Sequence, residues 1–257
     1  MKQVQLPLIA ALVALFVGVI GVGLASEVAA QDIHAEPPPM RPAQSPIHGV
    51  VQLDFGQYKP NIDKEFDGDG PYQTMFKKGG LLTDLSLQWH VYQGVGKVAI
   101  GGSLGFFNKK GNAYNEDGEK SADRTSLMIV PLRLSAIYRF DYLQERFRVP
   151  FVIAVRAGLD YSFWNVKNAG KIADGAASDG RVFVGRGGTA GWHYGVSLYF
   201  WLNWLAPAMA ASFDGNTGIN NSYLYAEFLS THLNNFGSKN SWDLSDNIFK
   251  FGLAFEF

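Results

Sequence analysis

The sequence predicts an antiparallel transmembrane β-barrel of eight strands, and three observations predict it. From Val50 onward, apolar and non-apolar residues alternate with a period of two, which gives a strand two unlike faces. The non-apolar set is largely Gly, Ala and Ser with isolated charges, unlike the Lys- and Glu-rich surface of a soluble sheet. Several runs reach ten residues or more, close to the roughly 9–11 that a tilted strand needs to cross a bilayer.

Composition narrows the class further. The 257 residues are 47% hydrophobic and 18% charged, too apolar for a disordered chain. Lys+Arg 22 against Asp+Glu 23 leaves a net charge of -1, so no basic field is available for nucleic acid. The absence of Cys excludes a disulfide scaffold, a thiolate metal site and a cysteine nucleophile. A mean hydropathy of -0.02 is too low for a bundle of membrane helices.

Residues 1–30 read as a signal peptide: Lys2 precedes an apolar stretch from Leu6 to Leu24, and Val28, Ala29 and Ala30 supply the small-residue cleavage site. A retained membrane anchor is the alternative. Residues 31–46 carry Pro37, Pro38, Pro39, Pro42 and Pro46, and form an extended periplasmic segment. The barrel then occupies residues 47–257.

Eight runs follow. The first sets Val51, Leu53 and Phe55 against Gln52, Asp54 and Gly56; the second sets Leu85, Leu87, Trp89 and Val91 against Asp84, Ser86, Gln88 and His90. In the third, Val98, Ile100, Leu104 and Phe106 oppose Ala99, Gly101, Ser103 and Gly105. The fourth carries Met128 to Tyr138 on one face and a mixture including Ile129, Pro131, Arg133, Ser135 and Arg139 on the other, with a bulge expected at Pro131. Phe151 to Phe163 oppose Val152 to Ser162 in the fifth, and Trp192 to Leu202 oppose Gly191 to Tyr199 in the sixth. The seventh sets Leu224, Ala226 and Phe228 against Tyr223, Tyr225 and Glu227, and the eighth sets Phe249, Phe251, Leu253, Phe255 and Phe257 against Lys250, Gly252, Ala254 and Glu256.

Alternation alone does not say which face looks outward. Small residues with pairable charges suit a narrow filled interior, which puts the apolar face in lipid. Aromatics near run ends, Tyr138 and Phe140, Tyr161, Phe163 and Trp164, Trp192 and Tyr194, Trp201 and Trp204, are then interfacial girdles. Long polar connections at 59–80, 108–124, 165–188 and 233–246 alternate with short ones at 93–97 and 141–148, as extracellular loops alternate with periplasmic turns. The connection 203–221 breaks the pattern, and its stretch from Leu205 to Ala211 starts a short helix with Pro207 near the first turn. An extended reading of that stretch, or of part of a long loop, gives ten strands instead. A soluble sandwich or lipocalin-like barrel is the plain alternative to the whole scheme.

The inner face collects Asp54, Asp84, Arg133, Arg139, Arg156, Asp160, Glu227, Lys250 and Glu256, and the simplest account is a charge network bridging strands across the lumen. Arg133, Arg156, Asp160, His193 and Glu227 are its expected centre. An eight-stranded barrel is just wide enough for side chains to fill, so no large pore is expected. Asp160, Ser162 and His193, with His232 above them, also hold the groups for acyl or peptide hydrolysis. No motif fixes their geometry, so mutual satisfaction in a polar lumen is the reading adopted. Asp63, Glu65, Asp67 and Asp69, with Gly68, resemble the start of an EF-hand loop, but Thr74 stands where the bidentate Glu belongs; no metal site or cofactor is assigned. Gly185-Arg186-Gly187-Gly188 lacks the lysine of a phosphate loop.

The terminal Phe249, Phe251, Leu253, Phe255 and Phe257 resemble the C-terminal β-signal of bacterial outer-membrane proteins, which implies insertion by the barrel-assembly machinery. Four segments resemble a myxobacterial-type family of outer-membrane β-barrels: Pro60 to Asp63, Asp123 to Leu127 continuing through Ala136 to Tyr142, Gly185 to His193, and Phe255 to Phe257. That resemblance implies fold and outer-membrane location and carries no activity. The sequence therefore reads as a non-enzymatic outer-membrane barrel with a structural or surface-interaction role. Its long loops contact lipopolysaccharide, outer-membrane lipid or other partners. A narrow channel and a lipid- or peptide-hydrolysing enzyme are the alternatives.

Overall fold

The computed structural model describes residues 45–65, 68, 70–114, 120–176, 182–238 and 241–257. The expected signal peptide and nearly all of the Pro-rich segment lie outside the described residues. Eight strands form the barrel: β1 (Gly49–Tyr58), β2 (Gly80–Gly94), β3 (Gly96–Tyr114), β4 (Lys120–Phe140), β5 (Phe151–Asn168), β6 (Arg186–Trp201), β7 (Asn221–Leu233) and β8 (Asp246–Glu256). Each pairs antiparallel with the next, and β8 returns to β1 with Leu253 opposite Leu53 and Phe251 opposite Phe55. The sheet is closed and antiparallel, so it leaves no strand edge among its eight members. Among the described residues, no helix is long and apolar enough to cross a membrane, and the strands are the spanning elements.

Alternation along every strand sets the facing. Leu53, Ile100, Leu134, Ile153, Leu159, Val196, Leu198, Phe228 and Phe251 are exposed on the outer wall, while Asp54, Asp84, Arg133, Arg156, His193, Glu227 and Lys250 are buried inside. This is the inverse of a soluble barrel. An outer surface this apolar requires hydrocarbon around it, and an interior this polar requires internal partners.

Two expected girdle residues belong elsewhere. Trp164 has the parity of the inner face and stacks on Trp242 at 4.1 Å. Trp201 packs against the interior cluster near the lower rim, and its indole donates to Asn221 Oδ1 at 2.7 Å. Closeness to a strand end drew both into the expectation; their position in the alternation places them inside.

The connections separate into two ends. At the end holding the chain's last residue, Val95 alone joins β2 to β3, and Gly96 takes the positive φ of 83° that this turn demands. Helix α1 (Pro71–Phe76) lies at the opposite end, α2 (Tyr142–Phe147) joins β4 to β5, and α3 (Pro207–Thr217) joins β6 to β7. Pro207 stands at the start of α3, where its missing N–H costs nothing, and Gly218 closes it at φ 71°. The ten-strand alternative is thereby excluded.

The expected loops 108–124 and 165–188 are largely strand. The β3–β4 ladder continues through Lys110 opposite Ser126 and Asn112 opposite Arg124, and β5 runs to Asn168. A two-residue strand at Lys171–Ile172 extends it, and Asp174–Ala176 pairs with Val182–Val184. Along Asn108–Asn112 polar residues occupy both faces, which removes the alternation signal without removing the backbone pairing.

The bulge expected at Pro131 is absent. Pairing of β4 to β3 lapses between Leu132 opposite Leu104 and Ile129 opposite Phe107, yet the register is the same on both sides. Proline drops a ladder hydrogen bond without adding a residue. Gly105 makes room for the ring, since a Cβ there would lie 2.6 Å from Pro131 Cγ. Register shifts lie instead between His90 and Tyr92 in the β2–β3 pairing and between Asn112 and Tyr114 in the β3–β4 pairing.

Candidate functional site

The interior is built in three tiers. At the lower end, Lys97 Nζ contacts Asp141 at 2.9 Å, Glu256 at 3.1 Å and Glu145 at 3.2 Å. Glu256 also accepts from Asn221 at 2.6 Å and from the Tyr223 hydroxyl at 3.1 Å. Arg139, fully buried, lies between Tyr199 and Tyr223, its guanidinium carbon 4.8 and 5.1 Å from their ring centres.

The middle tier is the charge network. Lys250 Nζ bridges Asp54 at 3.0 Å, Glu227 at 3.0 Å and Asp84 at 3.2 Å. Arg156 Nε meets Glu227 at 2.7 Å, and its Nη2 donates to Gln52 and the Tyr225 hydroxyl. Arg133 Nη1 meets Asp84 at 2.7 Å, and its Nε lies 3.7 Å from Asp160. Successive carboxylates and cations thus tie β1, β2, β4, β5, β7 and β8 across the lumen. Four of the five residues expected at the centre of the network, Arg133, Arg156, Asp160 and Glu227, stand here; His193 joins through Asp160.

His193 Nδ1 is hydrogen-bonded to Asp160, and its Nε2 lies 2.9 Å from the Ser135 hydroxyl. The acid–imidazole–hydroxyl chain therefore exists, with a different serine. Ser162 sits opposite Pro131 and Thr189 in the ladders, and its hydroxyl has no partner among the described residues. His232 faces outward and stacks on Trp192 at 4.2 Å, so it is not part of the constellation. Ser135 comes from β4, the neighbour of β5 on the side away from β6, and only the register brings it to His193. Gly158 makes room for the imidazole: a Cβ there would lie 2.9 Å from His193 Cε1. His193 is 0% exposed, Asp160 4% and Ser135 5%, so all three groups are enclosed in the barrel interior.

The upper tier is apolar, which the expectation of a polar lumen throughout did not include. Tyr58, Leu82, Phe107, Leu127, Ile129, Leu233, Leu244 and Ile248 are buried together, with Tyr72 of α1 inserted among them. The Tyr58 hydroxyl donates to the Leu244 carbonyl at 2.6 Å, and the Tyr58 ring meets Phe107 edge to face at 5.1 Å. The signal was present in β4, where Leu127 and Ile129 make the inner face as apolar as the outer one.

Above this seal lies a cleft of about 620 Å³, walled by Ile62, Met75, Phe76, Leu127, Val166 and Trp242. Its volume falls in the range of small-ligand sites, about 300–1,000 Å³. Lys64 Nζ and Asp243 pair at 3.1 Å across its rim. Burial opposes ionisation of Asp243, and hydrogen bonds from Ser245 and Lys64 outweigh it, holding the carboxyl below the ordinary Asp range.

Asp63, the first carboxylate of the EF-hand-like stretch, binds backbone. Both carboxylate oxygens of Asp63 accept backbone N–H bonds from Tyr72 and Gln73, at 2.8 and 2.6 Å, so Asp63 caps the start of α1. Asp67 and Asp69 lie outside the described residues. Among the described residues, no group of three His, Asp or Glu side chains is arranged to hold a metal ion.

No protein-family model matches the chain, and no curated protein matches it significantly. Solved structures do resemble it. The outer membrane protein OprG from Pseudomonas aeruginosa has a TM-score of 0.47 at 10% identity, covering 83% of this chain and 97% of its own. Ail, the attachment invasion locus protein of Yersinia pestis, has a TM-score of 0.41 at 10% identity, covering 83% and 99%. Neisserial surface protein A has a TM-score of 0.38 at 10% identity, covering 82% and 94%. The fold assignment rests on the closed ladder itself.

Proposed function

We propose that this chain is a non-enzymatic β-barrel of a Gram-negative outer membrane, closed to solutes, with a structural role in the envelope and a surface-interaction role at its extracellular end. One observation carries the reading. The polar lumen is filled by ion pairs and is sealed above by a buried apolar cluster, leaving function to the surfaces outside the barrel. The outward apolar band supports residence in a bilayer. The outward Phe249, Phe251 and Leu253, leading to Phe255 and Phe257, support delivery by the barrel-assembly machinery. The likeness of four segments to the myxobacterial-type outer-membrane family supports the same location.

The cleft bounded by Trp242 and Phe76 is the place for contact with an external partner, and the Ser135–His193–Asp160 chain is a structural cross-tie. Planar-bilayer recording of the purified full-length protein tests the seal. Discrete conductance steps from the wild-type barrel would overturn the closed-lumen reading in favour of a narrow channel; a silent bilayer containing heat-modifiable, inserted protein supports it.

A further inference from the structure

The outer wall is not uniform. On the β3–β6 side a furrow of about 570 Å³ opens between Leu104, Leu134, Leu159 and Tyr161, with Gly102 at its floor. A Cβ built on Gly102 would meet nothing within 4 Å. Phe236, carried by the turn after β7, also lines the furrow and is 67% exposed.

On the same strands, above the aromatic row of Phe106 and Phe163, the outward positions become basic. Lys110 stands opposite Ser126, Ser126 opposite Lys167, Asn112 opposite Arg124, and Asn165 opposite Arg186. Lys110, Arg124 and Arg186 are exposed and Lys167 is half-buried. Among the described residues, none of the four makes an ion pair, and no acidic side chain shares their outward rows. The opposite side of the barrel differs: its upper outward positions are Gln57, Leu81, Ser230, His232 and Asn247, and Lys59, exposed just beyond β1, has the Asp246 carboxylate on its backbone N–H.

Spacing joins the two features. From Leu104 to Lys110 is six residues, or about 20 Å along the strand. At a strand tilt of about 35–45° this is roughly 15 Å along the membrane normal. That equals half of a hydrocarbon core about 30 Å thick, the depth of one leaflet. Cations at the headgroup level and a furrow one acyl chain below them form a complement to a single class of molecule.

We propose that the β3–β6 face holds a phosphate-bearing, multiply acylated lipid of the outer leaflet. Its phosphates lie on Lys110, Arg124, Lys167 and Arg186, and one chain lies in the furrow over Gly102. The inference rests on the membrane-spanning reading and narrows its lipid contact to one face and one lipid class.

The test uses the full-length barrel in phosphatidylcholine nanodiscs doped with bisphosphorylated lipid A, with bound lipid counted by native mass spectrometry. Wild type should enrich lipid A over phosphatidylcholine. The combined Lys110→Gln, Arg124→Gln, Lys167→Gln and Arg186→Gln variant, and separately Gly102→Leu, should each lose about tenfold or more of that enrichment. Lys59→Gln, on the other side, should retain it, and dephosphorylated lipid A should behave like the charge-neutralised variant. Equal binding by wild type and both variants, no preference in wild type, or a second copy of the chain covering this face would overturn the proposal. If Gly102→Leu fails to insert, the charge variant decides, because its residues lie above the apolar band. A wild-type protein with no heat-dependent gel shift would instead sink the membrane reading beneath it.

Discussion

Replacing Glu227 with Ala should cost more stability than any surface change in the barrel. Its carboxylate is 0% exposed and is shared by Arg156 at 2.7 Å, Lys250 at 3.0 Å and the Ser197 hydroxyl at 3.2 Å. After truncation Lys250 retains Asp54 and Asp84, whereas Arg156 retains only the neutral oxygens of Gln52 and Tyr225. One buried cation is left without a carboxylate, a defect that costs about 3–5 kcal/mol. Because Tyr225 and Gln52 still accept hydrogen bonds, the lower end of that range applies. Urea titration of the micelle-bound barrel, followed by loss of the heat-modifiable band, measures it. The paired change Glu227→Leu with Arg156→Met removes both charges and should recover about 2 kcal/mol relative to the sum of the single changes. A Glu227→Ala cost below about 1 kcal/mol, or strict additivity in the cycle, would refute the idea that this network is held by desolvated charge.

Gly158→Ala should impair assembly, because the new Cβ would overlap the Leu134 carbonyl and crowd His193, an overpacking cost of about 1–3 kcal/mol. A lower yield of heat-modifiable barrel than wild type checks this. Acidification should loosen the chain at Trp242 and Asp243: the depressed Asp243 pKa contributes stability above the ordinary Asp range and loses it as pH falls through the folded value. Quenching of Trp242 fluorescence should therefore stay constant from neutral pH to the ordinary Asp range and rise only below it, and Lys64→Met should shift that rise toward higher pH.

Much of this was legible in the sequence because a barrel strand has a period of two and its environment is two-sided. Gln52, Asp54, Asp84, Arg133, Arg156, Glu227 and Lys250 could be assigned inward from parity alone. What parity does not contain is register. Ser135 and Ser162 are equally good serines from sequence, and only the offset of β4 against β5 and β6 puts Ser135 beside His193. The extensions of β3, β4 and β5 were illegible for a related reason: outside the membrane both faces meet water, so Lys109, Lys110 and Asn112 carry no contrast. The apolar seal left a trace at Leu127 and Ile129, where the inner face of β4 is as apolar as the outer one.

The three tiers have different physical tasks, and their order explains why the surfaces matter. Ion pairs in the middle and lower tiers specify which strands face one another, since each carboxylate must meet its own cation to offset desolvation. A stack of charges alone would still admit water between its members and leave a path for small ions. The cluster of Leu82, Phe107, Leu127, Ile129, Leu233 and Ile248 lies across that path at the end where Tyr72 of α1 inserts among them. On the proposed closed-lumen reading, recognition falls to the surfaces outside the barrel. On that reading the cleft beside Trp242 and the basic outer face of β3–β6 are the surfaces left for a partner.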